Sequence, residues 1–372
     1  MDNADYAPIL AELKNGDLTY DFKFNLAVKA FGHTAAYDAL IAQYLSREKF
    51  PEKITLTFEK AQDLRYGENP HQDAVFYKEP LTSPSDLVNA KQLHGKELSF
   101  NNINDTHGAL ELLKEFNEPA IVAVKHATPC GVGIGATLFE AWKKTFDADP
   151  KSIFGGIIAA NREVCEKIAA DIKDKKVFLE IIIAPSFSDK ALEILQEGKN
   201  LRLLTLDVKA PQAAYAPTPF DFKKVSGGLL IQDTDNTLFD DLTCATDRKP
   251  TDAELNDLKF AWKLVKHIKS NGIAIAKNGQ SLGLAGGQTN RIWAAGQAID
   301  HAGEFLGADM LKGAALASDA FFPFPDCVEA AAKAGITAII QPGGSQNDNL
   351  SIEACNKYGI AMMLTGVRHF RH

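Results

Sequence analysis

Two side chains that can carry a positive charge, Lys125 and His126, directly follow the apolar run AIVAV at 120–124. A neutral imidazole can accept a proton from a nucleophile, and a neighbouring ammonium favours the neutral form because like charge disfavours protonation. The same ammonium can stabilise an oxyanion that develops nearby. One base beside one oxyanion stabiliser suits acyl transfer to an amine. The structural alternative is a histidine that caps a turn and a lysine whose amine reaches water.

Other candidate sites follow predicted strands, because ligands in open α/β sheets bind beyond the carboxyl ends of strands. These are the stretches KNG at 277–279, PGGSQND at 342–348 and TGVRHFRH at 365–372. The stretch SDAFFPFPD at 318–326 predicts a rigid apolar wall, and it follows what reads as a helical run. An arginine in the turn-rich loop RYGENPHQ at 65–72 could hold a phosphate through two hydrogen bonds.

The elements that must position these residues form two alternations of helices and continuously apolar strands. This pattern predicts an α/β protein whose parallel or mixed sheet is covered on both faces. Residues 1–53 read as a helical N-terminal segment, 54–207 as a first α/β unit and 223–372 as a second. The Pro- and Ala-rich stretch 208–222 reads as the connection between them.

Composition excludes several classes of function. The 372 residues carry a net charge of −8, which argues against a nucleic-acid partner. The N-terminus has no secretory signal, and no apolar run approaches the roughly 20 residues that span a membrane. The five cysteines are scattered without a CxxC pair, which argues against a thiolate zinc site and for a reducing compartment. We therefore expect a cytoplasmic protein with neither a nucleic-acid nor a membrane partner.

Two cofactor motifs are weak or missing. The stretch GVGIGA at 131–136 formally fits the dinucleotide pattern GxGxxG/A, but HATPC separates it from the preceding strand. The zinc-deaminase signature needs H-x-E and P-C-x-x-C, and PCGV and PDCV each offer a single cysteine. A nicotinamide oxidoreductase stays open as an alternative, and no zinc is expected.

Nine stretches in order, from about residue 55 to the end, together resemble the AICAR transformylase family, the C-terminal part of the bifunctional purine biosynthesis protein. They are LRYGENPHQ, LSFNNINDTHGALELLKEF, AVKHATPCGVG, IFGGIIAANREV, FLEIIIAPSF, AKNGQSLGLAGGQTNRI, SDAFFPFPD, QPGGSQND and VRHFRH. The resemblance implies two cytidine-deaminase-like α/β/α subdomains without zinc. It also implies formyl transfer from 10-formyltetrahydrofolate to the 5-amino group of AICAR, in a homodimer whose active sites draw on both subunits.

The resemblance also assigns residues. His126 matches the family's proton acceptor, Lys125 its transition-state stabiliser and His372 a terminal histidine near the reaction centre. Arg65 and Tyr66 match a pair that reaches AICAR from the partner subunit. The other AICAR-binding positions implied are Gly155, Glu180, Asn271, Arg291, Phe321 and Arg368, with Glu180 standing where the family can have Asp. The folate-binding positions implied are Ile292, Asp326, Ser345 and Gln346. A bound monovalent cation such as K⁺ is also implied, without assigned ligands.

Only residues 1–50 resemble the cyclohydrolase part of the family, through KAFGHTAAYDALIAQYL. We therefore expect no closure of formyl-AICAR to IMP, whether the chain is a natural single-function enzyme or a fragment. A non-catalytic paralogue that binds the purine ribotide is the other alternative, although such a protein need not keep the Lys125–His126 pair.

Overall fold

The computed structural model describes residues 2–209 and 220–372. The chain divides into two compact units, one of Met1–Gln62 with Phe76–Leu81 and one of Asp63–Val75 with Thr82–His372. Most of the predicted connection 208–222 lies outside the described residues, and its last three residues already belong to a strand that begins at Phe220. No helix among the described residues is long and apolar enough to cross a membrane.

The first unit is mainly helical, as its sequence predicts. A 3₁₀ turn at Asn3–Asp5 leads into α1 (Tyr6–Lys14), and α2 follows (Tyr20–Leu45). Thr19 begins α2 because its side-chain oxygen accepts a hydrogen bond from the backbone N–H of Phe22 at 3.3 Å.

After α2, helices and apolar strands alternate as predicted, and several further strands occur where the sequence pattern predicts none. Two strands, β1 and β2, form a separate two-stranded sheet (Glu59–Leu64 and Ala74–Lys78). The next elements are β3 (Lys91–His94), α3 (Phe100–Leu113), β4 (Ala120–Lys125), β5 (Thr128–Ile134), α4 (Leu138–Ala148), β6 (Gly156–Ala160), α5 (Glu166–Asp174), β7 (Leu179–Ala184), α6 (Asp189–Leu195) and β8 (Arg202–Thr205). The last are β9 (Phe220–Val225), β10 (Gly228–Asp233), β11 (Thr243–Cys244), α7 (Asp252–Val265), β12 (Ile273–Lys277), β13 (Gln280–Ala285), α8 (Arg291–Leu306), β14 (Ala315–Ser318), α9 (Asp326–Ala334), β15 (Ala338–Gln341), α10 (Asp348–Tyr358) and β16 (Ala361–Leu364).

A twelve-stranded mixed sheet forms the centre of the second unit, in the order β11-β16-β15-β14-β12-β13-β5-β4-β6-β7-β8-β3. Alternate strand residues face opposite layers. Val122 and Val124 pack with α3 and α7, whereas Ile121 and Ala123 pack with α4 and α5. The apolar strands are therefore buried on both faces, which confirms the predicted mixed α/β class.

From either edge of the sheet inward, equivalent strands of the two halves follow one another in the same order, because the two halves of the second unit repeat one order of elements. Each half runs helix, hairpin, helix, strand, helix, strand, helix, strand, from α3 to β8 and from α7 to β16. The strand directions agree as well: β4–β6 and β12–β14 are antiparallel, and the strands that follow in each half are parallel. The second unit is thus an internal duplication, which the weak similarity of the two halves in sequence did not establish.

The Pro- and Gly-rich composition of residues 128–133 predicts a turn after Lys125, but only His126 and Ala127 form the turn, and residues 128–134 form β5. A Cβ added to Gly131 would lie 2.4 Å from the carbonyl oxygen of Thr145, and one on Gly133 equally close to that of Ala141. These glycines therefore allow α4 to approach the strand. The first four residues of the GVGIGA stretch belong to β5, so Gly131 and Gly133 lie in a strand and not in a phosphate loop.

A second correction concerns SDAFFPFPD. This stretch comes at the end of the strand β14 and not after a helical run. The helix α8 is followed by a short 3₁₀ turn, Ala308–Leu311, and then by β14. The stretch therefore begins at the carboxyl end of a buried parallel strand, beside the loop that follows β15.

Candidate functional site

The turn between β4 and β5 consists of His126 and Ala127, and both residues have a positive φ of 54°. Two-residue hairpin turns of type I′ need this conformation at both positions, and Asn-Gly is the usual pair because most other residues adopt it at a cost. The carboxylate of Asp105, on α3, accepts hydrogen bonds from the backbone N–H groups of His126 and Ala127, at 3.0 and 2.8 Å. Burial raises the pKa of Asp105, while these two N–H donors oppose that shift by favouring the carboxylate.

His126 lies at the wall of a cavity of about 700 Å³ in the second unit. Four other predicted AICAR-binding residues line the same cavity, namely Arg65, Tyr66, Gly155 and Glu180. The cavity lies at the amino ends of β6, β7 and β8, because β4 runs antiparallel to β6. The rule that places sites beyond the carboxyl ends of strands therefore applies to β4 but not to β6, β7 and β8, which are parallel to one another and run opposite to β4.

Charged side chains in the cavity are held by neighbouring groups. The guanidinium of Arg65 lies over the ring of Tyr66, 4.8 Å from its centroid, and donates to the Tyr66 hydroxyl at 3.0 Å. The Arg202 guanidinium donates to a Glu180 carboxylate oxygen at 2.7 Å and to the backbone carbonyls of Lys96 and Glu97. These contacts keep one cationic group and one carboxylate directed at the same space.

Lys125 is not among the residues that line the cavity. Its Nζ donates to the carbonyl oxygen of Phe154 at 2.9 Å, next to Gly155. The second half repeats this contact, since Lys277 Nζ donates to the carbonyl oxygen of Lys312 at 2.6 Å, next to Gly313. Both glycines have a φ of 74°. The bond between lysine and carbonyl is therefore a feature of both halves, and His126 is what distinguishes the first.

Asn271 and Arg291 form a second group, in the second half of the duplication. Arg291 Nη2 donates to the side-chain oxygen of Asn271 at 2.6 Å, and Nη1 donates to Ser318 Oγ and to the carboxylate of Asp319. Arg291 is almost fully buried and Asp319 completely so. The arginine is thus held by fixed acceptors at the carboxyl end of β14.

The remaining predicted residues follow the carboxyl ends of strands in this half or begin its helices. Phe321 and Asp326 come after β14, Ser345 and Gln346 after β15, and Ile292 is the second residue of α8. In the tail after β16, the Arg368 guanidinium lies over the Phe370 ring, and that ring packs edge-on against the exposed His372. Among the predicted site residues of this half, the described contacts join only Asn271 and Arg291 directly.

The cavity residues around His126 and the Asn271–Arg291 group lie at the same edge of the sheet, but they are far apart along it. Five interstrand steps separate β6 from β14, which corresponds to about 24 Å at about 4.8 Å a step. The described chain therefore does not place both groups around one small molecule. Arg65 and Tyr66 line a cavity with His126 of the same chain, and the implied contact of this pair with AICAR from the partner subunit stays a prediction.

Sequence reasoning assigned no role to Asp105 or Arg202, although both line the cavity. A comparison of the two halves could have revealed Asp105, because Asp257 is the sixth residue of α7 as Asp105 is of α3. Arg202 gives no such signal, since its pairing with Glu180 depends on the parallel packing of β7 and β8. Within the residues that the structure describes, no group of three His, Cys, Asp or Glu side chains is arranged to hold a metal ion.

The duplicated mixed α/β unit holds a charged cavity beside a strained histidine turn. A cavity of this kind is expected of an enzyme. The family model of the AICARFT/IMPCHase bienzyme matches residues 1–301. The chain is 57% identical to the bifunctional purine biosynthesis protein PurH of Acetivibrio thermocellus, and the match covers 100% of this chain and 72% of that protein. The PurH proteins of Anoxybacillus flavithermus and Bacillus cereus are 56% and 57% identical with the same coverage. The chain belongs to the AICARFT/IMPCHase bienzyme family, and it is an enzyme of purine biosynthesis.

Proposed function

We propose that the chain transfers a formyl group from 10-formyltetrahydrofolate to the 5-amino group of AICAR, giving formyl-AICAR and tetrahydrofolate. The observation that carries this proposal is the placement of His126 at the wall of a cavity shared with Arg65, Tyr66 and Glu180. The second half has Asn278 in the equivalent turn position. The imidazole is therefore an addition to the turn that the fold itself does not require.

His126 is proposed as the general base. The AICAR amine is a poor nucleophile because its lone pair is delocalised into the imidazole and carboxamide, so removal of its proton during attack lowers the barrier. Attack places negative charge on the formyl oxygen, and the ammonium of Lys125 is proposed to stabilise that charge. Lys125 is the last residue of β4, and its amine reaches the Phe154 carbonyl, so stabilising the oxyanion requires the amine to turn from that carbonyl toward the reacting groups.

The charges in the cavity support binding of a ribotide. The guanidinium of Arg65 suits a phosphate, because two of its N–H groups can bond two phosphate oxygens. The Glu180 carboxylate is fixed by Arg202 at 2.7 Å and retains acceptor capacity for hydroxyl or amine groups. Binding both substrates in one cavity supplies the proximity that bimolecular transfer needs.

We further propose that the active enzyme is a homodimer, in which each site combines the cavity of one chain with the Asn271–Arg291 group of its partner. The separation of about 24 Å between these groups within one chain supports this arrangement. Ile292, Phe321, Asp326, Ser345, Gln346, Arg368 and His372 belong to the second group in this proposal. The repeated element order supports the further proposal that the halves are cytidine-deaminase-like subdomains.

The direct test incubates the purified chain with AICAR and 10-formyltetrahydrofolate and identifies the products by mass. Formyl-AICAR together with tetrahydrofolate is the expected result. AICAR binding without any product, in a chain shown to be dimeric, would overturn the proposal in favour of a ribotide-binding protein. Formation of IMP would contradict the separate expectation that this chain does not close the ring.

A further inference from the structure

The turn that carries His126 has an unfavourable backbone. His126 and Ala127 are both in the left-handed region, which is unfavourable for a residue with a side chain because its Cβ lies too close to the backbone carbonyl oxygen. The equivalent turn of the second half, Asn278–Gly279, has φ values of 55° and 66° and uses residues that adopt this conformation readily. The two halves thus share one turn geometry, but only the first has to stabilise it against strain.

The side chain that opposes this strain is Asp105. It accepts the N–H groups of both turn residues, at 3.0 and 2.8 Å, and is itself fixed on α3. Asp257, at the same position of α7, accepts a single weaker bond from Gly279 at 3.3 Å. The stronger pair of bonds occurs where the turn residues are least suited to the conformation.

We propose that Asp105 is a positioning residue, which fixes the His126 imidazole at the cavity wall by holding the His126–Ala127 turn in its left-handed conformation. This inference rests on the proposed role of His126 as the base in formyl transfer. A misplacement of about 1 Å in a reacting group can lower a rate by about a hundredfold, so loss of the turn geometry is expected to act on turnover more than on binding.

Because Asp105 also lines the cavity, it could instead contact a substrate directly, and the variants must separate the two roles. Asp105→Asn keeps the shape of the side chain but presents an N–H₂ group to one of the two backbone donors. Ala127→Gly removes the strain at one of the two turn residues without touching the carboxylate. Asp257→Asn makes the same chemical change in the equivalent turn and serves as the matched control.

Under this proposal Asp105→Asn lowers kcat by about 10- to 100-fold and leaves the Kd for AICAR within about threefold. Adding Ala127→Gly to Asp105→Asn restores kcat at least about fivefold, and Asp257→Asn changes kcat less than about twofold. A kcat for Asp105→Asn close to that of the wild type would overturn the proposal. So would a loss that Ala127→Gly does not relieve, or a rise in Kd that matches the fall in kcat, since both indicate direct contact with substrate.

Amide hydrogen exchange keeps this test separate from the proposed function. In Asp105→Asn the amides of His126 and Ala127 should exchange at least about tenfold faster, with the Gly279 amide unchanged. Unchanged exchange at His126 and Ala127 in a variant with a wild-type melting curve would overturn the structural part of the proposal. Faster exchange in a chain that forms no formyl-AICAR would instead contradict the proposed function alone.

Discussion

Glu115 and His267 occupy equivalent positions in the two halves of the duplication and bind each other. Each lies two residues beyond the end of its helix, α3 or α7, and His267 Nε2 is 3.2 Å from Glu115 Oε1. The Lys266 ammonium donates to the same oxygen at 2.8 Å. The side chains of Lys266 and His267 are each 9% exposed. A buried ion pair thus joins the halves where their helices end.

Glu115→Gln is expected to reduce the free energy of unfolding by about 2 kcal/mol at pH 7, because it leaves the Lys266 ammonium buried without its counter-charge. The hydrogen bonds and charges of His267 and Lys266 lower the pKa of Glu115 from 4.5 to about 2, against the effect of burial. As the pH falls, the Glu115 carboxylate therefore takes up its proton at a higher pH in the unfolded chain than in the folded chain. The stabilisation is present above pH 4.5 and is lost toward pH 2.

The difference between wild type and Glu115→Gln, measured by denaturant unfolding, should therefore be constant above about pH 7, where His267 does not titrate in the unfolded chain, and should shrink below pH 4.5. Burial lowers the pKa of His267 from 6.5, so both proteins should also lose stability as the pH drops below 6.5. Glu111→Gln is the matched control. Its pair with Lys114 is more exposed, and its removal should cost about 0.5 kcal/mol. An equal effect of the two changes would contradict this assignment.

Lys125 and Lys277, which make equivalent contacts in the two halves, allow the structural and catalytic effects of a lysine substitution to be separated. Lys125→Ala and Lys277→Ala each remove one bond to a carbonyl oxygen and should each reduce stability by about 1 kcal/mol. Only Lys125→Ala should lower kcat, by about a hundredfold, because only this ammonium lies beside the proposed base. Steady-state kinetics and melting curves of both variants make the comparison. If kcat fell equally in the two variants, the proposed catalytic role of Lys125 would be contradicted, and its role would be purely structural.

The proposed shared site makes a specific prediction for mixed dimers. Lys125→Ala mixed with Arg368→Ala should regain activity, because each mixed dimer then holds one site with both groups intact. Lys125→Ala mixed with Arg65→Ala should regain none, because both residues act on the same cavity side of the site. The activity of tagged, purified mixed dimers tests this. Recovery in the second mixture, or none in the first, would contradict the proposed division of residues between subunits.

Much of the fold follows from local sequence pattern. Continuous apolar runs such as AIVAV and GIIAA predict strands buried on both faces, and these become β4 and β6. The glycines of β5 were misread because Gly and Pro usually mark turns. Gly131 and Gly133 instead admit the backbone of α4, and that contact depends on tertiary packing which a local pattern does not record.

The site was predictable only in part. The Lys125–His126 pair can be recognised from its position at the end of an apolar run, and Arg65 from its turn-rich loop. The strained turn was not recognised, because neither His126 nor Ala127 is a residue that usually adopts a positive φ. The cavity also depends on strand direction. Gly155 and Glu180 approach His126 because β4 is antiparallel to β6, and the sequence does not fix that direction.

The most direct test of the account is His126→Asn. Asparagine occupies the equivalent position 278 with a φ of 55°, so the variant should keep the turn and a melting temperature at or slightly above that of the wild type. It lacks the base, and kcat for formyl transfer should fall by about 10²- to 10⁴-fold, with the Kd for AICAR within about threefold. A kcat within a few-fold of the wild type would contradict the role of His126 and, with it, the mechanism proposed for this enzyme.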